Sequence, residues 1–460
     1  DRDLKDIFAV ERDVAQSIAD ALKATLQPQE KALVDAVPTT NPAAYDLYLR
    51  AIEHFNRARD QDVLTATEMP QAIALFEQSL AADPRFALVA ALAGEAHILI
   101  YFNGIDRGAP RLAAAKAAID RALAVQPDLG EAHYALALYH YYGHRDYASA
   151  LQELDRAQQS LPNSAYVAVA SAAIARRQGR WNDAIAGFQR AALFDPRSSA
   201  PLDQLGLTYA ALRRYADADQ AFSRSVSVSA DPADERVTQA INTVRWKGDL
   251  GALRTVLQVL TPGSDAYVGN AASRYQLDMY SRDYAAAAKV AESDPAGAWG
   301  DQGNIVLPRE LYLALAYASM GDKEKAGSAY ARVRSSMAEA LVQQPDAADL
   351  HVALGLAAAG LASKDDALRE GRRAAELMPP SRDNISGAGV LVWLAQIEAM
   401  VGEPDAAFDH LRQALALPSG GSISPAVLKL DPAWDALRKD PRFDALLEQG
   451  ESAVSVAPHG

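Results

Sequence analysis

The chain lacks cysteine altogether, and this absence removes three kinds of chemistry. With no cysteine among 460 residues, disulfide bonds, thiolate metal sites and cysteine nucleophiles are all excluded. A cysteine-free chain occurs in oxidising and in reducing compartments, so the compartment has to be argued from other features.

An excess of positive charge is also missing. Lys and Arg number 45 against 59 Asp and Glu, which gives a formal net charge of −14. Because this balance repels a phosphate backbone, we expect no nucleic-acid ligand.

Long apolar runs are absent as well. The best candidate is 387–400, but Gln396 and Glu398 interrupt it, and a helix needs about 20 apolar residues to cross the hydrocarbon core of a membrane. We therefore expect no membrane insertion of this segment. The sequence opens at Asp1 with no basic stretch followed by an apolar one, from which we expect a mature or truncated product.

Catalytic signatures are lacking too. The sequence contains no GxxxxGK[ST], HExxH or GxSxG motif, and the lone GxG at 387–389 follows no strand pattern. We expect no cofactor and no enzymatic activity, although an active site assembled from distant segments would leave no such trace.

What the sequence does contain is a repeat of about 34 residues. Segments of the form A-x3-Φ-x2-A-x4-P, in which Φ is usually large and apolar, end at Pro127, Pro162, Pro196 and Pro379. The first three prolines lie 35 and 34 residues apart. Proline ends each of these helices, because it cannot donate a hydrogen bond to the preceding turn.

A second helical pattern precedes each of these segments. It is clearest in Leu205, Gly206 and Tyr209. A small residue at a helix crossing lets two backbones approach, while its large neighbours fill the space on either side. The two patterns together predict a series of stacked helical hairpins.

These motifs resemble the tetratricopeptide repeat (TPR) family over about 44–418. The resemblance implies an all-α fold, a tetratricopeptide α-solenoid in which about ten helix hairpins form a right-handed superhelix, with short capping helices at the carboxyl end. Convincing copies lie at 87–127, 130–162, 165–196, 199–232, 348–379 and 385–418, and weaker ones at 44–84, 233–262, 265–295 and 309–345.

The repeat pattern and its interruptions predict five regions. They are an amphipathic helix with a linker (1–37), an amino-terminal TPR array (38–296), an irregular loop (297–308), a carboxyl-terminal TPR array (309–418), and capping helices with a tail (419–460).

Both ends of the chain depart from the repeat. Apolar residues recur at steps of three and four between Ile7 and Leu22, which predicts an amphipathic helix. With 41–50, this segment resembles the junction between a TolB-like amino-terminal domain and the repeats of bacterial regulators. Near the other end, Asp-Pro pairs at 431–432 and 440–441 predict two short helices. Their apolar residues are expected to cover the last repeat: Trp434, Leu437, Phe443, Leu446 and Leu447.

The same resemblance implies a function. In such regulators, which include membrane-bound winged-helix regulators, receptor Ser/Thr kinases and nucleotide cyclases, the repeats commonly follow a membrane helix and act outside the cytoplasm. We therefore expect a non-enzymatic protein–protein interaction scaffold, the sensory or regulatory TPR region of a larger bacterial signalling or transcriptional regulator. Its expected location is periplasmic, with the cytoplasm as the alternative. An adaptor subunit of a stable multiprotein complex is the second interpretation, and an enzyme is the third.

In the resembled family, the first helix of each repeat lines the groove that binds a partner. Counting along the helices that begin near 130 and 165 places nine residues in or beside this groove: Tyr134, Leu138, Tyr141, Tyr142, Tyr166, Val169, Ala173, Arg176 and Arg177. Tyrosines next to two arginines suit a protein or peptide partner with apolar and acidic groups. The alternative is that the tyrosines are ordinary packing residues.

Histidine is scarce, with eight in the chain, yet three of them cluster. His133, His140 and His144 lie at steps of seven and four residues, a spacing that a divalent metal could use. Because His133 and His140 fall at repeat positions that pack between helices, we predict no metal site.

Overall fold

A computed structural model of the chain describes Ser17 and residues 39–60, 65–300, 305–418 and 420–455. The amphipathic helix expected within 1–37 therefore lies outside the described residues, apart from Ser17, which is helical.

The described residues form consecutive pairs of helices, and each pair consists of a first and a second helix. The pairs are α1 and α2 (Pro42–Asp60, Thr65–Ala82), α3 and α4 (Ala87–Phe102, Ala109–Val125), α5 and α6 (Gly130–Leu138, Tyr147–Ser160), α7 and α8 (Ala165–Arg177, Trp181–Phe194), and α9 and α10 (Ala200–Ala211, Tyr215–Val228). They continue with α11 and α12 (Ala233–Lys247, Gly251–Gln258), a short α13 (Asp265–Gly269) before α14 and α15 (Ala271–Tyr280, Tyr284–Ser293), α16 and α17 (Arg309–Met320, Lys323–Gln343), α18 and α19 (Ala348–Gly360, Lys364–Leu377), and α20 and α21 (Ser386–Met400, Pro404–Ala416).

When α13 is counted with the pair that follows it, these ten pairs coincide, to within about four residues at each end, with the ten repeats that the sequence predicts. The all-α TPR solenoid is thus confirmed.

By its internal contacts the chain divides into two compact units, Asp1–Ser171 and Ala172–Gly460. We call them unit 1 and unit 2. The helices α1 to α6 lie in unit 1, α8 to α21 lie in unit 2, and the division falls within α7. The interruption expected at 297–308 lies inside unit 2.

Glycine at a helix crossing explains why the pairs pack tightly. A Cβ added to Gly206 on α9 would lie 2.5 Å from the ring of Phe222 on α10, and one added to Gly94 on α3 would lie 2.5 Å from Ile119 on α4. Real Cβ atoms do not approach so closely, so each site requires glycine. The sequence pattern around Gly206 predicts a small residue at the helix crossing. Gly94 in unit 1 and Gly206 in unit 2 both have this packing role.

The irregular loop predicted at 297–308 instead contains two short antiparallel strands, β1 (Ala298–Gly300) and β2 (Val306–Pro308). Trp299 is buried, and its indole nitrogen donates a hydrogen bond to Asp294 at 2.6 Å. Its ring also lies 5.0 Å from that of Tyr312. Glycine and proline mark the end of a helix here, but sequence spacing shows neither the strand pairing nor the contacts of Trp299.

Short helices follow the last pair, as predicted. They are α22 (Pro425–Leu430), a 3-10 turn (Pro432–Trp434) and α23 (Arg442–Ser455). The Asp431 carboxylate caps the 3-10 turn by accepting the N–H of Ala433 at 2.9 Å. The predicted apolar residues of this end share one buried cluster with the last pair, including Phe408 and Leu411.

Within the described ranges, no helix combines the length and the hydropathy that a membrane crossing requires.

Candidate functional site

In unit 1, the first helices of four successive pairs bring charged and aromatic side chains together. The residues are Arg59 at the end of α1, Glu95 in α3, Tyr134 in α5 and Tyr166 at the start of α7. We call the surface that they form the first-helix face of unit 1. It contains two of the predicted groove residues, Tyr134 and Tyr166.

Arg59 is the centre of this arrangement. One of its guanidinium nitrogens lies 3.1 Å from a carboxylate oxygen of Glu95. The guanidinium carbon also lies 3.3 Å from the ring centroid of Tyr166 and 5.6 Å from that of Tyr134. The ring centroid of Phe55 lies 5.5 Å from the same carbon. Aromatic rings attract a cation placed over their faces, so the arginine is held by one carboxylate and three rings.

Glu95 is the most deeply buried residue of this arrangement, with 2% of its surface exposed. Burial raises the pKa of the Glu95 carboxyl, the Arg59 guanidinium lowers it in part, and the Glu131 carboxylate raises it further. Burial also lowers the pKa of Arg59, but Glu95 and the two tyrosines more than offset this, so its pKa lies above the usual range. Arg59 therefore stays charged, because it compensates a carboxylate that has little access to water.

A second acid on this face has no such compensation. Glu131 lies in the first turn of α5 and is half-buried, and burial raises the pKa of its carboxyl. Among the residues that the structure describes, no basic side chain forms an ion pair with Glu131, although Glu95 is close enough to repel it. The face thus holds two carboxylates and one guanidinium.

The two tyrosines differ in exposure. Tyr134 is 9% exposed, and burial together with the Glu95 carboxylate raises the pKa of its hydroxyl. Tyr166 is 40% exposed although its ring stacks on Arg59. Tyr166 is therefore the aromatic residue of this face that a partner can reach.

The other predicted groove residues of unit 1 lie elsewhere. Leu138 and Tyr141 are buried, and Val169 is half-buried. Tyr142 stacks on Phe102 with 3.9 Å between ring centroids. The burial of Leu138 and Tyr141 and the stacking of Tyr142 agree with the alternative interpretation of ordinary packing.

The three clustered histidines run from α5, which contains His133, through one turn of π-helix, Tyr139–Gly143, to His144 just after it. His133 is an internal link: its Nδ1 lies 2.6 Å from a carboxylate oxygen of Glu153, and its Nε2 lies 2.9 Å from the carbonyl oxygen of Pro127. His144 is exposed and packs edge-on against Tyr139. In the described part of the chain, no three His, Asp or Glu side chains are placed to share a metal ion.

The remaining predicted groove residues, Ala173, Arg176 and Arg177, belong to unit 2 and are buried. Arg176 donates to the side-chain oxygen of Gln204 at 2.7 Å and to the hydroxyl of Thr208 at 3.2 Å. Both arginines have partners inside unit 2, so their charges serve its packing.

Arg177 pairs with a part of the chain that lies far away in sequence. It donates to Asp383 at 2.7 Å, and the Asp383 side chain is fully buried. The Arg177 carbonyl also accepts the N–H of Asn384 at 2.7 Å. This contact is the first of a series of hydrogen bonds that join the end of unit 2 to its beginning. We call residues 383–435, which contain the bonded groups near the end, the closing segment.

The turn between α9 and α10 contacts the closing segment in the same way. Arg213 donates to the carbonyl of Leu417 at 2.7 Å, the N–H of Gly420 donates to the carbonyl of Ala211 at 2.9 Å, and the Tyr215 hydroxyl donates to the carbonyl of Gly420 at 3.2 Å. A side chain added at Gly420 would collide with this turn.

Residues at or just after the ends of α11 and α14 complete the series of contacts. The Arg245 carbonyl accepts the hydroxyl of Ser424 at 2.7 Å, and Arg282 donates to Asp435 at 3.0 Å. Four successive helix pairs of unit 2 therefore hold the closing segment at or near the ends of their first helices. The capping residues both cover the last pair and tie it to the earlier ones.

Sequence reasoning missed Arg59, Glu95 and Glu131. One signal was available, because Glu95 is the single charged residue in the otherwise apolar helix α3. A lone carboxylate on an apolar helix must find a partner when it is buried. The partner, Arg59, lies at the end of the first helix of a weak repeat copy, and nothing in the sequence links the two.

No family model matches the chain, and no curated protein matches it. Among solved structures, PilW, a widely conserved type IV pilus biogenesis factor, is 20% identical over 49% of this chain and 97% of its own, with a TM-score of 0.38. A thermophilic TPR protein of Thermus thermophilus is 14% identical over 44% of this chain and 100% of its own, also at 0.38. Human IFIT1 with PPP-AAAA is 16% identical over 79% of this chain and 77% of its own, at 0.41. Similarities at this level carry no information about function. The assignment of the TPR fold therefore rests on the ten helix pairs of this chain.

Proposed function

We propose that the chain is a protein–protein interaction scaffold, and that a segment of its partner binds the first-helix face of unit 1. The observation that supports this most directly is the exposure of Tyr166 beside a charge arrangement that is already in place. Tyrosine supplies a large contact area at a small cost in conformational entropy and is enriched at the centre of binding surfaces. Arg59 and Glu95 hold its ring in position before any partner arrives.

The contrast with unit 2 supports the choice of face. In unit 2, Arg176, Arg177 and Arg213 donate hydrogen bonds to the chain itself. A partner would have to displace these contacts before it could use the same guanidinium groups. In unit 1, Tyr166 is 40% exposed while its ring remains stacked on Arg59, so a partner can reach it with this contact intact.

A peptide array tests this function. The purified chain is incubated with immobilised 12-residue peptides of varied composition, and the strongest hits are titrated in solution. Tyr166→Ala should weaken their binding by at least about tenfold, which corresponds to about 1.4 kcal/mol. Val342→Ala is the matched control, because Val342 is 75% exposed on the second helix α17 of unit 2. Absence of any hit, or equal binding by both variants, would refute the proposal.

The narrower role proposed is that of the sensory or regulatory region of a larger bacterial regulator that acts in the periplasm. It is supported by the resemblance of the amino-terminal segment, with 41–50, to the junction between a TolB-like domain and the repeats of bacterial regulators. Reading the gene upstream of the codon for Asp1 tests it. A TolB-like domain and a membrane helix are expected there, and a reading frame with neither would remove the support for this role.

We also propose that the scaffold has no catalytic activity of its own. The support is the absence of catalytic motifs from the sequence. A screen of the purified chain against ester, peptide, phosphate and glycoside substrates is expected to show no turnover. Reproducible turnover that copurifies with the chain would contradict it.

A further inference from the structure

The charges on the first-helix face of unit 1 indicate which partner it suits, provided that the proposed function is correct. The sequence favoured an acidic partner, because Arg176 and Arg177 appeared available. The structure places both arginines in unit 2, where Gln204, Thr208, Asp383 and other groups take up their hydrogen bonds. Neither charge is available for a partner of unit 1.

The charge on this face that has no counter-charge is negative, the opposite of the arginine charges. Arg59 is already paired with Glu95 at 3.1 Å and stacked on Tyr166. Glu131 lies three residues before Tyr134 on α5, so the two side chains share one side of the helix. In the described ranges no basic side chain forms an ion pair with the Glu131 carboxylate, and this carboxylate raises the pKa of Glu95. An incoming carboxylate would meet two acids, whereas an incoming ammonium or guanidinium would pair with Glu131 and relieve its repulsion with Glu95.

The overall charge agrees with this sign. The net charge of −14 on the whole chain draws cationic segments towards it and raises the rate of encounter.

We propose that the first-helix face of unit 1 binds a basic segment of a partner protein, in which a Lys or Arg side chain pairs with Glu131 and its neighbours pack on Tyr166. Glu131 selects the charge of the segment, while Tyr166 supplies contact area that is largely independent of charge.

Three peptides of identical apolar composition test the sign of the charge. They carry three Lys, three Glu or three Gln at the same positions of the strongest array hit, and each is titrated at low and at physiological salt. The Lys peptide should bind most tightly and lose affinity as salt is added, because an exposed ion pair is screened. The Glu peptide should bind most weakly.

Variants then assign the effect to one residue. Glu131→Gln should weaken the Lys peptide by about fivefold, as expected for a partly exposed ion pair, and leave the Gln peptide unchanged. Glu131→Lys should invert the order of the Lys and Glu peptides. Glu339→Gln is the control, because Glu339 is an exposed residue of α17 in unit 2 and its replacement changes the net charge by the same amount. Far-UV circular dichroism and melting curves of all variants confirm that each is folded.

The possible outcomes separate the two proposals. If no peptide binds, the proposed function fails and this inference fails with it. If the Glu or Gln peptide binds as tightly as the Lys peptide, and Tyr166→Ala still abolishes binding, the function stands and the basic partner is refuted. An equal effect of Glu131→Gln and Glu339→Gln would also refute it, because the preference would then come from the net charge alone.

Discussion

Units 1 and 2 are built from the same helix pairs, yet they use arginines near the ends of their first helices in different ways. In unit 1, Arg59 pairs with a buried acid on the neighbouring first helix and supports an exposed ring. In unit 2, Arg177 and Arg213 bind a segment that lies about 200 residues further along the chain. One repeat can therefore leave an aromatic ring exposed on its face or use comparable positions to hold its own chain.

The first variant has the largest expected effect, because it removes the ion pair between Arg177 and the closing segment of unit 2. Asp383→Ala leaves Arg177 buried without its counter-charge, and removal of one partner of a buried ion pair typically costs about 3 to 5 kcal/mol. We expect a loss of about 4 kcal/mol in the free energy of unfolding, measured by urea denaturation with circular dichroism. The control is Asp405→Ala, which removes the exposed partner of Arg442 and should leave the midpoint unchanged. A small effect of Asp383→Ala would show that the closing segment is held by other contacts.

The second test concerns a feature that the units share. Gly94→Leu in unit 1 and Gly206→Leu in unit 2 should each cost about 3 kcal/mol, because the added side chain overlaps Ile119 or Phe222. Gly327→Leu in α17 is the control, since a Cβ there meets nothing within 4 Å, and it should be neutral or stabilising by up to about 1 kcal/mol. Thermal melting measures all three. Equal melting of Gly206→Leu and the unmodified chain would contradict the packing of α9 on α10.

The third test compares two histidines, one in each unit, whose two ring nitrogens contact a glutamate carboxylate and a proline carbonyl. His351 in unit 2 contacts Glu370 at 2.7 Å and the carbonyl of Pro345 at 3.0 Å, as His133 does with its own partners in unit 1. Since hydrogen bonds to charged groups contribute about 1.5 to 3 kcal/mol, His133→Ala and His351→Ala should each cost about 2 kcal/mol. The exposed His144, replaced by Ala, should cost little. Markedly unequal effects of the first two variants would mean that the shared geometry has different roles in the two units.

The smallest expected effect concerns pH. Burial raises the pKa of Asp203 in unit 2 to about 7, a hydrogen bond from Ser225 opposes the shift, and Glu235 adds to it. The native state therefore keeps a proton that the unfolded state has lost, and stability from this group falls as pH rises from about 4 to 7. Asp203→Asn should be more stable than the unmodified chain at pH 8 by about 1 kcal/mol, allowing for partial exposure to solvent.

Urea denaturation at about pH 4.5 and about pH 8 measures this difference. The two chains should differ little at the lower pH, where Asp203 is protonated in the native state. Asp444→Asn, which replaces an exposed residue in the first turn of α23, should show no such pH dependence. A gain for Asp203→Asn that is as large at the lower pH as at the higher one would mean that ionisation is not the cause.

Particular residues show how far the sequence could predict the site. Counting along first helices places Tyr134 and Tyr166 on the first-helix face of unit 1, because their positions follow from helical periodicity. Arg176 and Arg177 were placed on the same surface by the same counting, but their partners, Gln204 and Asp383, depend on how distant helices meet. Glu131 was missed because a surface acid and a half-buried, unpaired acid look alike in sequence.

The sequence by itself determined the helix pairs, their number and the capping turns, because helical periodicity, small residues at crossings and proline stops act within a few residues of one another. Only the tertiary structure decided which charges are compensated and which remain available. Arg177 and Asp383 are 206 positions apart, and no local pattern brings such residues together. Their pairing depends on the path of all the intervening helices, and so does the difference between an available face in unit 1 and a self-bound chain in unit 2.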